Sequence, residues 1–146
     1  MRIISLLIVL AASADAAAAT SVRGEVGGQT WTTAGSPYQL SGDVTVAAGA
    51  TLTIQPGVVV EPALADAANL GIRPDLVEVI VRGTLDARGT ATAPITFAGT
   101  PAQFGGWYGI ELVGAAHDCA LDHVVVEHGL YSLDLDSTGT GNRIDH

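Results

Sequence analysis

Lysine is absent from all 146 residues, and the six cations, all arginine, face 15 acidic side chains for a formal charge of −9. Affinity for nucleic acid depends on cationic side chains displacing counterions from phosphates, so DNA, RNA and anionic membrane surfaces are excluded as partners. Cys119 is the only cysteine, which rules out an intrachain disulfide. Aromatic residues make up only 5% of the chain, so any core must be aliphatic. No long stretch has helical period, and past the first dozen residues no apolar run is long enough to cross a bilayer. Gly-x-Ser-x-Gly, a phosphate-binding loop and a dinucleotide fingerprint are also missing.

What remains is Ala, Val, Leu and Ile, punctuated by 18 glycines. The N-terminus stands apart: Arg2, an apolar run from Ile3 to Ala12, then an alanine-rich exit offering Ala17-Ala18-Ala19 as a cleavage site. That layout predicts a secretory signal peptide over residues 1–19 and hence an exported product, secreted, periplasmic or on the cell surface. Its removal takes one Arg and one Asp and leaves the charge at −9.

Past the leader the chain repeats itself. Gly49-Ala-Thr-Leu-Thr-Ile-Gln-Pro-Gly57 returns in degraded form as Gly83-Thr-Leu-Asp-Ala-Arg-Gly89. Leu52 and Leu85 are 33 positions apart; setting aside Ala65–Asp75 as an 11-residue insertion leaves 22, about one coil of a strand-built solenoid. Leu112 and Leu135 are 23 apart with no insertion. Strands come in threes: Val44–Val46, Leu52–Ile54 and Val58–Val60, then Val79–Val81, Leu85–Ala87 and Ile95–Phe97, then Ile110–Leu112, a piece around Leu121, and Val124–Val126, with a fourth set opening at Leu133–Leu135. In most triplets the outer residues are apolar and the middle one polar, the period of a strand with one face buried. Residues 20–43, polar, Gly-rich and carrying Trp31, are expected to cap the first open end; residues 44–146 form the coils. No closing cap is visible before His146, which suggests an incomplete solenoid.

The string from Val44 to Val60, together with Val79–Gly89, Pro94-Ile-Thr-Phe97 and Trp107-Tyr-Gly-Ile110 in that order, resembles secreted bacterial right-handed parallel β-helix proteins of the pectate-lyase-like superfold. The resemblance covers nearly all of the chain after the leader. It implies an all-β, right-handed parallel β-helix of about four coils. It says little of function, since unrelated activities share one scaffold. A polygalacturonase-like hydrolase should show Asn-Thr-Asp, Asp-Asp, Gly-His-Gly and Arg-Ile-Lys strings; only His128-Gly129 and Arg143-Ile144 are present. A lyase-like site needs a Ca²⁺-binding carboxylate cluster with a basic residue, and Arg82, Arg88 and Arg143 fall in no such motif.

Asp134 and Asp136 alternate with Leu133 and Leu135, so both carboxyls should leave one outer face, with Cα atoms roughly 6.5–7 Å apart. They are the candidate catalytic pair, or a Ca²⁺ foothold, and Glu111 and Glu127 would join them if the coils align. Trp107 and Tyr108 are candidates for stacking on a sugar, although a Trp at this place starts a coil and packing suits it better. His117, Cys119, Asp122, His123 and His128 are dense in ligand atoms, but their spacing matches no zinc pattern; Cys119 inside and histidines at turns is the reading, with no metal site. The functional expectation is a non-catalytic exported or cell-surface scaffold binding carbohydrate or a partner protein without a cofactor. A polysaccharide lyase or glycosidase, and the passenger segment of a larger adhesin, are the alternatives.

Overall fold

The computed structural model describes residues 18–99, 103–137 and 139–145. The leader expected over residues 1–19 lies almost wholly outside them.

Thirteen strands are named among the described residues. The first coil contains β1 (Thr20–Glu25), β2 (Thr30–Trp31) and β3 (Tyr38–Val46), and the second β4 (Thr51–Ile54), β5 (Val59–Pro62) and β6 (Glu78–Val81). The third contains β7 (Thr84–Arg88), β8 (Ile95–Ala98) and β9 (Trp107–Gly114). Then come β10 (Ala120–Asp122), β11 (Val124–Glu127) and β12 (Gly129–Ser137), with β13 (Arg143–Asp145) opening the next turn. Every pairing between named strands is parallel, and the coils stack into three faces. Face one runs β2, β4, β7, β10, β13. Face two takes the start of β3, then β5, β8 and β11; face three takes the end of β3, then β6, β9 and β12. β3 continues unbroken through the corner between them, pairing with β5 through Tyr38–Leu40 and with β6 through Val44–Val46. This is the parallel β-helix that the repeat implies.

Register follows the aliphatic pattern. Leu52 pairs with Leu85, and both are fully buried. Val44, Val79, Ile110 and Leu133 form another continuous row. Burying a side chain of this size stabilises by about 1.5–3 kcal/mol, and stacking like on like removes both partners from water at once. The few aromatics fill the wider places. Trp31 lies flat on Tyr38, centroids 4.6 Å apart, and Phe97 on Trp107 at 6.2 Å. Cys119 is interior, where the Leu85 N–H donates to its Sγ at 3.3 Å and burial pushes its thiol pKa up, so it acts as a small apolar filler.

The leading segment is woven into the helix. β1 pairs along β3 on both sides of the corner, so a boundary at residue 43 falls inside a strand. Two connections are lengthened, both at the corner between faces two and three. Residues 63–77 join β5 to β6 and contain the expected insertion. Residues 99–106 join β8 to β9, so Val79 and Ile110 sit 31 positions apart where Ile110 and Leu133 need 23. The second lengthening was not anticipated; its Gly-Gly ending reads like any other turn.

Candidate functional site

Face three brings acidic outward side chains from successive coils into register. Ile80, Glu111 and Asp134 occupy one outward row on β6, β9 and β12, and Val113 and Asp136 occupy the next pair of positions. The coils therefore do align Glu111 with Asp134. Glu127 belongs elsewhere, on face two, paired with Ala98. Against this acid row folds the insertion. Leu70, Gly71 and Ile72 form one wall of a groove of about 320 Å³, and Arg82, Glu111, Val113 and Asp136 line the rest.

The wall is held by three carboxyl groups that grip its main chain. Six successive N–H groups are taken two by two: Ala68 and Asn69 donate to Asp66 (2.8 and 2.6 Å), Leu70 and Gly71 to Asp43 (2.6 and 2.8 Å), and Ile72 and Arg73 to Glu78 (2.9 and 2.6 Å). Asp43 also accepts the Glu78 N–H at 2.6 Å, and Asp66 the Asp43 N–H at 3.0 Å, which links the three into one network. Asp43 and Glu78 are fully buried. A buried carboxyl is tolerated only when donors meet it, and an insertion with no ladder of its own supplies those donors. Gly71 passes so close to Glu78 that a Cβ there would fall onto the carboxyl group. Burial raises the Asp43 pKa despite its N–H donors, with the Asp66 charge adding to the rise. At Asp66 burial also opposes ionisation, but the N–H groups of Ala68, Asp43 and Asn69 outweigh it and its pKa is lowered.

Glu111 differs from these. It is 2% exposed, it lines the groove, and it accepts no hydrogen bond from any described residue. Burial raises its pKa, and the charges of Glu78, Asp134 and Asp136 push the same way against Arg82. Asp134 accepts the Tyr108 hydroxyl at 2.9 Å. Burial and that bond hold the phenol well above the usual tyrosine range, so Tyr108 stays a donor.

Asp134 and Asp136 thus share one outer face with Glu111 and Arg82. Trp107 and Tyr108 do not offer a sugar their rings. Trp107 is 1% exposed, stacked inside on Phe97, with its Nε1–H donated to the Glu127 carbonyl. Tyr108 is 5% exposed. The exposed ring on this face is Tyr131, 60% exposed and packed at 5.1 Å against Tyr108. The sequence hid it because Leu130 and Tyr131 fall where the β12–β9 register shifts. His123 and His128 stand at corners with φ of +47° and +58°. Among the described residues no three His, Cys, Asp or Glu side chains converge to hold a metal ion. No described helix is long and apolar enough to cross a membrane. Asp43, Asp66 and Glu78 were not foreseen, though a signal existed: Asp43-Val44 and Glu78-Val79 repeat an acid at the same place in successive coils.

A comparison with known families matches residues 24–129 to the pectate-lyase like beta helix domain. No curated protein and no solved structure matches the chain.

Proposed function

Because the chain belongs to the pectate-lyase-like beta helix domain family, we propose that it is an exported, non-catalytic scaffold that binds an extended polysaccharide along face three. The observation that carries this reading is the groove itself. It is open, with one wall fixed by buried acids, and farther along β12 on the same face Tyr131 is braced against Tyr108. An aromatic face and, farther along the same strands, a groove with carboxyl and guanidinium groups match what successive rings of an extended sugar chain offer, C–H faces and hydroxyl edges. The leader motif at residues 1–19 supports export.

Titration calorimetry against a panel of soluble polysaccharides tests the reading. Binding should be detected and should weaken about tenfold in Tyr131→Ala, the loss of roughly 1.4 kcal/mol. A panel with no binder at all overturns it. A lyase is the second reading, favoured by one observation: Arg82 stands in the groove with Glu111 and Asp136. Release of unsaturated product from polygalacturonate with Ca²⁺ would replace the non-catalytic reading with that one.

A further inference from the structure

Glu111 and Asp136 line the groove and the charges of Glu78 and Asp134 reach Glu111, four carboxyl groups in all, with Arg82 the one guanidinium in the lining. Three of the four have work apart from a ligand or stand at the open edge. Glu78 is saturated by the insertion, Asp134 holds the Tyr108 hydroxyl, and Asp136 is exposed. Glu111 is the exception, buried to 98% yet facing the groove and accepting nothing from any described residue. Its carboxyl oxygens are not sealed in, so they open to the groove, and a cationic donor arriving there can meet a carboxylate that no described side chain engages.

The donor must suit a concave site whose insertion wall carries Leu70 and Ile72, with Val113 beside Asp136 on the sheet opposite. An ammonium group brings three donors and a positive charge on one atom. We propose that the groove selects saccharides bearing free amino groups, polymers of unacetylated hexosamine, and turns away polyuronates. The ammonium sits between Glu111 and Asp136, while the C–H face of the ring rests on the apolar wall. A uronate would set a further carboxylate against Glu111 and Asp136, with Asp134 next along the row, on a chain whose net charge is already −9. Arg82, the one guanidinium in the lining, is exposed and can turn outward at the rim. The inference rests on the saccharide-binding reading above and adds the sign of the ligand.

The test uses the full chain in calorimetry at low salt. Its probes are a glucosamine oligomer with free amines, the N-acetylated oligomer of the same length, a galacturonate oligomer and a lysine oligopeptide. The free-amine oligomer should bind at least about tenfold tighter than each of the others and weaken as salt is added. Glu111→Gln should cost about tenfold in that affinity without lowering the unfolding midpoint, while Glu61→Gln on face two should leave binding unchanged. Equal binding of the acetylated or galacturonate oligomer overturns the charge selection and leaves saccharide binding standing. Failure of every saccharide overturns both. A lysine peptide that binds as tightly as the oligosaccharide overturns the choice of a sugar.

Discussion

Leu52 on Leu85 and Asp43 beside Glu78 are both pairs drawn from adjacent coils, yet they hold different things in different ways. The leucines face inward, pair in register and are held by the removal of apolar area from water. The acids flank the paired Val44 and Val79 on the outward side, and they are held by N–H groups that the chain sends back to them from residues 68–73. The first kind of contact does not respond to protons and is shared by every coil. The second is sensitive to pH and serves one insertion. The interior therefore sets whether the molecule folds, and the acid network sets whether face three has a groove.

The largest effect should come from breaking the interior. Leu85→Ala removes a fully buried side chain between two coils and should cost about 2–5 kcal/mol, read as a lower denaturant midpoint with unchanged slope. A cost below 1 kcal/mol would show that the ladder is not the frame. Breaking the acid network should be smaller and local. Asp43→Asn replaces an acceptor of three N–H groups and should cost about 1–3 kcal/mol, with faster amide exchange at residues 68–73 and unchanged protection at Leu52 and Leu85. Equal loosening of both regions would erase the distinction.

The pH dependence sharpens it further. The Asp66 pKa is lowered in the fold, so its stabilising contribution is complete above its ordinary value of 3.8 and is lost as pH falls through the folded value. Asp43 and Glu111 are raised and act in reverse. They favour the fold below 3.8 and 4.5 respectively, and that advantage is withdrawn as pH rises through their folded values. Glu111→Gln should thus stabilise the protein at neutral pH, by about 1 kcal/mol, and flatten the stability profile just above pH 4.5. A loss of stability at pH 7 would contradict the account of Glu111 as a carboxylate that burial holds at a cost. The smallest effect belongs to the exposed pairs of face one. Arg143 lies 3.7 Å from both Asp122 and Asp145, and Arg143→Ala should change stability by less than about 0.5 kcal/mol.

The difference between the two regions also explains what could be read in advance. Period-two alternation and the recurrence of Leu-Thr-Ile as Leu-Asp-Ala report inward stacking directly, so the coils and the Leu52–Leu85 and Leu112–Leu135 pairings were legible. The insertion could be located by its interruption of the period, since that needs only counting. Its conformation could not, because it depends on acids 35 positions apart meeting main-chain groups that every residue type but proline carries. Asp134 and Asp136 were visible as outward residues, but the depth of Glu111 came from the insertion lying over it. Trp107 was assigned two duties because sequence marks a large ring and says nothing of which way it faces; its row on β9 places it inside.

The carboxyl groups of Asp66, Asp43 and Glu78 take hold of amide hydrogens and not of side chains, so the grip is blind to the lettering of what it grips. Apart from Asn69, whose φ of +53° suits few side chains, Gly71, which has no room to grow, and proline, which lacks the hydrogen, residues 68–73 can be exchanged without moving the wall they form. Such a fastening lets the lining of the groove change while its shape is kept constant by residues that lie behind the wall.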